Sequence, residues 1–165
     1  METTSSSAAL LAAQYQLVQE ARAALLDYCA SLTPAHFVAP VAEFRQGSIR
    51  DLLVHITDAY HIWLGRVALG RADTARLAAE VPDVAALRQV FGEVDALVLD
   101  FQQHFDSQWL TARAFYVRRQ PEPLTLTPLQ ILTHVTTHEF HHKGQVLTMS
   151  RLLGYEPVDT DIIRF

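Results

Sequence analysis

Four of the eight histidines in this 165-residue chain lie within the stretch HVTTHEFHHKG, residues 134–144. An imidazole ring can bind a metal ion, carry a proton near neutral pH or serve as an ordinary polar group. The stretch belongs to a segment with helical periodicity that begins at Thr127 and Pro128 and runs to Leu153. Helical geometry therefore decides which of the rings can act together.

Helical phase separates the four histidines into two pairs. An α-helix advances by about 100° per residue, which places His142 about 40° from His138 around the helix axis. Both rings then share a face with apolar residues, namely Ile131, Val135, Val146, Met149 and Leu153. His134 and His141 lie on the flank, at about −40° and −60° from His138. We therefore expect His138 and His142 to face the protein core.

Two histidines one turn apart on an inward helix face have the spacing of helical zinc sites. Such a site needs at least one more ligand from a facing helix. His55 is the best candidate, because it lies beside the apolar stripe of another helical segment. The alternative is that the rings are hydrogen-bonded core histidines, since buried polar groups need partners. The spacing leaves both interpretations open.

Four segments of helical periodicity position these residues. The first extends from about Ser7 to Ser31, and the second begins at a cap, Ser48, and fades at Gly70. The third follows a cap at Asp83, and the fourth is the histidine-rich helix, which Gly154 ends. Residues 32–47 are predicted as a loop, and residues 106–127 as a long connection with extended pieces near 114–117 and 124–126. The pattern predicts a single all-α domain, residues 1–165, folded as a four-helix bundle with a long crossover.

Composition excludes several classes of function. Half of the residues are apolar, the net charge is −5, and the basic residues are scattered, so we expect neither nucleic-acid binding nor a basic membrane patch. A single cysteine, Cys29, excludes an intrachain disulfide and a cysteine-rich zinc site. The start METTSSSAALLAAQ lacks the basic region of a signal peptide, and no apolar run approaches the roughly 20 residues of a membrane span. We expect a soluble cytoplasmic protein.

Two blocks of the sequence resemble the DinB family of DinB/YfiT-like metalloenzymes. The block LTHVTTHEFHHKGQVLTMSRLLGYEPVDTD is similar to the family pattern H-x-x-x-H-x-x-H-H-[RK]-G-Q with its following helix, proline and aspartate. The block SIRDLLVHITDAYHIWLGR resembles the family stretch with a histidine and a downstream tryptophan. The resemblance implies an antiparallel four-helix bundle, often dimeric. It also implies a divalent metal held by three histidines, which match His55, His138 and His142. Lys143 stands where arginine is frequent, a change expected to spare the ligands.

The resemblance and the three imidazoles together favour a metal-dependent enzyme. Three neutral rings leave an open position on Zn²⁺, Ni²⁺, Fe²⁺ or Mn²⁺, where a thiol or water could become a nucleophile. We expect a small-molecule substrate, with a low-molecular-weight thiol as one candidate, and S-transferase-like or hydrolase-like chemistry. The alternatives are a non-catalytic metal-binding stress-response protein, or a helical protein without a metal.

Other residues have two interpretations each. Asp58 and Gln145 are candidates to orient the ligand rings, or are ordinary polar residues. His134 and His141 are candidate proton carriers or exposed flank residues. Cys29 is a nucleophile or, more often in such a position, a small core residue. A second apolar line on the fourth helix, Leu129, Phe140 and Leu147, is either covered by the crossover or forms a homodimer interface.

Overall fold

The computed structural model describes residues 3–45, 47–72, 76–118 and 120–164. Most of these residues are helical. The described α-helices are α1 (Thr3–Ala30), α2 (Pro34–Val38), α3 (Ile49–Tyr60), α4 (Val84–His104) and α5 (Pro128–Leu152), and the strands are β1 (Arg113–Phe115) and β2 (Leu124–Leu126). The segment His61–Ala68 continues α3 as a π-helix, and 3₁₀ turns lie at Ala42–Phe44 and Ala78–Glu80.

The four long helices occupy the segments that periodicity predicts. The first begins earlier than expected, at Thr3, and the predicted loop at residues 32–47 contains the short helix α2. The all-α prediction is wrong in one respect, because β1 and β2 form an antiparallel pair in which Ala114 faces Thr125. The extended pieces predicted in the long connection are those strands. The buried ring of Phe115 anchors the pair to Phe105 at the end of α4, with 6.5 Å between ring centroids. The four-helix bundle itself stays a prediction.

Local sequence signals fix the ends of the helices that carry the histidines. The Ser48 hydroxyl accepts a hydrogen bond from the backbone N–H of Asp51 at 3.1 Å, and the Asp51 carboxylate accepts one from the backbone N–H of Ser48 at 2.9 Å. Thr127 and Gln130 make the same reciprocal pair at the start of α5. Both pairs satisfy backbone donors that a helix start leaves free. Gly154 follows α5 with a φ of 90°, a conformation that favours glycine.

Helix α3 is the central element of the packing. It contacts α4 and α5, and its π-helical continuation also contacts both, while α1 packs on α4. The fully buried apolar side chains at these contacts include Leu53, Leu64, Val94, Val98, Val135 and Val146. Among the described residues, no helix combines the length and the apolar character needed to cross a membrane.

A charged cluster lies inside this core and joins four helices. Arg22 of α1 is 4% exposed and donates to both carboxylate oxygens of Glu139 in α5, at 2.7 and 2.9 Å. Glu139 is 3% exposed and also accepts a hydrogen bond from the Tyr60 hydroxyl of α3 at 2.6 Å. Arg22 makes a further ion pair with Asp95 of α4 at 2.6 Å. Every charge in the cluster is thereby paired, as burial requires.

Burial and the neighbouring charges keep Arg22 and Tyr60 each in one protonation state. Burial by itself would lower the pKa of Arg22, but the Glu139 carboxylate, with smaller contributions from Tyr15 and Tyr60, raises the pKa well above its usual value. Burial, reinforced by Glu139, also raises the pKa of Tyr60. Arg22 therefore stays cationic and the Tyr60 hydroxyl stays a donor near neutral pH.

We expect the substitution Arg22→Met to lower the free energy of unfolding by about 3–5 kcal/mol, because Glu139 is left buried without its cation. Urea unfolding followed by circular dichroism measures the loss. Arg88→Met is the matched control, since the Arg88–Asp27 ion pair is 41% and 77% exposed, and exposed pairs contribute about 0–1 kcal/mol. Adding Glu139→Met to Arg22→Met should recover stability. Equal losses of stability for Arg22→Met and Arg88→Met would contradict a special role for the buried pair of Arg22 and Glu139.

Candidate metal centre

Helices α3 and α5 bring three histidines together. Ligand nitrogens of His55, His138 and His142 all lie within 4.8 Å of one another, which is a distance that one metal ion could span. The ring centroids of His138 and His142 are 4.3 Å apart, and those of His55 are 5.1 and 4.8 Å from them. The structure therefore gathers the three residues that the sequence singles out, while their role as ligands stays a prediction.

The cluster is open to solvent on one side. His55 is exposed, whereas His138 and His142 are half-buried. The Nε2 atom of His138 is buried and has no hydrogen-bond partner among the described residues. A buried polar nitrogen without a partner is costly in a protein interior. A cation at the centre of the three rings would supply the missing partner, so the donor set fits a divalent metal.

Burial keeps the inward rings neutral. Burial, reinforced by the neighbouring His142 and His55 rings, lowers the pKa of His138 to about 4. Burial also lowers the pKa of His142, against the opposing effect of its hydrogen bond to Gln145. A neutral imidazole has a lone pair to offer, and metal binding requires that form. These two rings are therefore ready to act as ligands near neutral pH.

The hydrogen bond from His142 to Gln145 determines which ring nitrogen is available. The Nδ1 atom of His142 lies 2.6 Å from the Gln145 side-chain oxygen, which can only accept. Nδ1 therefore carries the ring proton, and Nε2 is left with its lone pair. This is the contact by which a residue behind a metal ligand fixes its tautomer and orientation. Gln145 therefore contacts His142 as a residue that orients a ligand ring would, and that role for Gln145 stays a prediction.

The other predicted residues lie around the cluster in different ways. His134 and His141 are exposed beside the trio, with centroids 6.0 Å from the His138 ring and 4.9 Å from the His142 ring respectively. Asp58 accepts a hydrogen bond from the backbone N–H of Arg76 at 3.4 Å, so its carboxylate engages the connection that follows the π-helix. Roles for these three residues in proton transfer or ligand orientation stay predictions.

Two residues have contacts away from the cluster. Cys29 is 1% exposed on α1, and burial raises the pKa of its thiol to about 12, which fits a core residue. Lys143 is buried, and its Nζ donates to the backbone carbonyl of Thr160 and lies 3.9 Å from the Asp161 carboxylate. Lys143 thus holds the segment after α5 against the helix.

A cavity of about 590 Å³ opens beside the cluster. His55, His142 and Gln145 form one wall, and Phe44 and Arg45 from the connection before α3 form another. Sequence patterns missed these last two residues, because nothing in residues 32–47 indicates more than a loop. The cavity gives a small molecule access to two of the three histidines.

Acidification should destabilise the metal-free protein through His138. The unfolded chain binds the proton near pH 6.5, whereas the folded protein does so only near pH 4. The unfolded state therefore binds more protons than the folded state between these two pH values. The contribution of neutral His138 to the free energy of unfolding is complete above pH 6.5 and is lost as the pH falls toward 4. We expect His138→Asn to flatten this decline in urea unfolding across the same pH range. His104→Asn, at the end of α4, controls for the loss of an imidazole. Parallel declines for wild type and His138→Asn would contradict the prediction.

Comparison with known proteins agrees with this geometry. A model of the DinB family matches residues 1–165, which is the whole chain. No curated protein matches the chain. The three-histidine cluster on α3 and α5 fits a metal-binding protein, as the resemblance in the sequence implies. Since the match covers every residue, including all three histidines, the chain belongs to the DinB family.

Proposed function

We propose that this protein is a metal-dependent enzyme in which His55, His138 and His142 hold a divalent ion and a thiol or water molecule serves as the nucleophile. The observation that carries the proposal is the position of the cavity, which His55 and His142 line together. A ligand in this cavity lies against two of the three metal-binding side chains. Binding and reaction can therefore occur at one place.

The number of ligands favours catalysis over a structural role. Structural zinc sites are usually closed by four protein side chains, whereas catalytic sites keep a position open. Within the described parts of the chain, the only group of three or more histidine, cysteine or acidic side chains that could hold an ion is this trio. The non-catalytic metal-binding protein considered from the sequence would need a fourth ligand.

The surrounding residues have separate tasks in this proposal. A bound divalent ion supplies Lewis acidity, which lowers the pKa of a thiol or water molecule in its open position. Gln145 holds His142 in the tautomer that leaves Nε2 free. In this proposal His134 and His141 pass the released proton to solvent, a role that the exposure of both rings supports. The His134 ring packs edge-on against the ring of Trp63 in the π-helix, with 4.8 Å between the ring centroids.

The substrate in this proposal is a small molecule, with a low-molecular-weight thiol ahead of water as the nucleophile. The reaction is S-transferase-like or hydrolase-like, and Zn²⁺, Ni²⁺, Fe²⁺ and Mn²⁺ all suit an imidazole site. A cytoplasmic homodimer completes the proposal. Its interface would use the apolar line of Leu129, Phe140 and Leu147, whose side chains are partly buried against the core of the chain.

Metal content tests the ligand assignment. Protein purified without a histidine tag and equilibrated with Zn²⁺ should retain about one ion per chain after desalting, measured by plasma mass spectrometry. His138→Ala should lose that ion, because two imidazoles from the remaining trio do not complete the site. His141→Ala is the matched control on the same helix and should retain it. Wild-type occupancy below about a tenth of an ion, or full occupancy in His138→Ala, would contradict the proposal.

Removing the orienting contact should weaken metal binding without abolishing it. In Gln145→Ala, His142 loses the acceptor that fixes its tautomer, so we expect the dissociation constant for Zn²⁺ to rise about 10–100-fold. Competition with a chromophoric chelator measures this constant. Gln145→Glu keeps an acceptor at the same place and should retain tighter binding than Gln145→Ala. Identical constants for Gln145→Ala and wild type would show that the contact has no such role.

A further inference from the structure

The connection before α3 forms a closed loop at the mouth of the cavity. Val41 pairs with Gly47, whose carbonyl accepts from the Val41 N–H at 3.0 Å. The Gly47 N–H in turn donates to the Phe44 carbonyl at 3.0 Å. Val41 is buried and Phe44 packs against the core. These contacts fix both ends of the loop, so Glu43, Phe44 and Arg45 are presented to the cavity in a set position.

Arg45 stands at the tip of this loop in an unusual backbone conformation. Its φ is 54° and its ψ is 37°, the left-handed region that arginine rarely adopts. Strain of this kind persists where the surrounding structure enforces it, and it is frequent at ligand sites. In this conformation the exposed side chain of Arg45 lines the same cavity as His55 and His142.

Two opposite charges on the cavity wall are available to a ligand. Arg45 and Glu43 both line the cavity and are exposed, and the ion pairs among the described residues include neither of them. The third charged residue of the wall, Asp51, is already engaged by the backbone N–H of Ser48 and by Arg50. A guanidinium and a carboxylate left free on one wall are complementary to a ligand that carries both charges.

We propose that the cavity selects zwitterionic thiols of the amino-acid type, whose carboxylate binds Arg45 and whose ammonium group binds Glu43 while the sulfur occupies the metal site. This inference rests on the proposed function and specifies its substrate class. The neutral wall formed by Leu52, Phe44 and Met149 contributes apolar contact with the remainder of the ligand. The two charged residues provide selectivity between thiols of similar size.

Four small thiols that differ in charge distinguish the contact with Arg45 from the contact with Glu43. The probes are 2-mercaptoethanol without a charge, 3-mercaptopropionate with a carboxylate, cysteamine with an ammonium group, and L-cysteine with both. Each is titrated into the full-length protein loaded with Co²⁺, and the dissociation constant is read from the thiolate-to-cobalt absorbance band. Gel filtration after each titration verifies that the cobalt remains on the protein. Comparing each variant with wild type cancels the intrinsic affinity of each thiol for the metal.

Arg45→Gln should weaken the binding of 3-mercaptopropionate and L-cysteine about fivefold, the effect of one exposed charge pair, and leave the other two thiols unchanged. Glu43→Gln should weaken cysteamine and L-cysteine by a similar factor. Arg45→Lys keeps the charge and should retain most of the affinity for the carboxylate. Arg151→Gln removes an exposed arginine of α5 that does not line the cavity, and should leave all four constants unchanged.

The outcomes distinguish this inference from the proposed function. Equal effects of Arg45→Gln on all four thiols, or effects no larger than those of Arg151→Gln, would overturn the charge selectivity and leave the metal site intact. Absence of the absorbance band with every thiol, including 2-mercaptoethanol, would contradict the thiol chemistry and this inference with it. Cobalt stoichiometry and circular dichroism of each variant show whether the fold and the metal site are preserved.

Discussion

The bidentate pairing of Arg22 with Glu139 constrains how the helices can be arranged. Two charges removed from water are tolerated only when their geometry is close to ideal, so α1 and α5 have little freedom to slide past each other. The Tyr60 hydroxyl extends the constraint to α3. Glu139 directly follows His138, and Tyr60 lies five residues after His55. The same contacts that hold the core together therefore set the position of one ligand helix against the other.

Much of the candidate site could be predicted from the sequence because it depends on regular geometry. The separation of His138 and His142 from His134 and His141 follows from the pitch of an α-helix, and the structure reproduces it. The helix ends follow from short-range hydrogen bonds, such as the one between Ser48 and Asp51, that need no tertiary contact. The third histidine, His55, could be assigned only by knowing which helices face each other. Its position beside an apolar stripe and the family resemblance both indicated this residue.

The features that sequence patterns missed depend on contacts between distant segments. A carboxylate such as Glu139 is normally assigned to the surface, and nothing near it in sequence reveals Arg22 more than a hundred residues away. The loop of Glu43 and Arg45 has no periodic signal, because its position comes from the pairing of Val41 with Gly47. The π-helical turn that carries Trp63 could not be predicted either, because its hydrophobic periodicity does not differ detectably from that of the α-helix it continues. Long-range charge pairing and loop placement are thus what the structure adds.

The burial of Cys29 has a consequence for the thiol chemistry proposed for this protein. Thiol–disulfide exchange and alkylation both need an accessible thiolate, and the single cysteine of this chain is 1% exposed, with the pKa of its thiol raised to about 12 by burial. In the folded chain this thiol therefore resists exchange with small-molecule disulfides and resists alkylation by electrophiles. In the proposed chemistry the single cysteine of the chain would therefore not compete with the histidine cluster for the reactants. Turnover would then continue without inactivation through this cysteine.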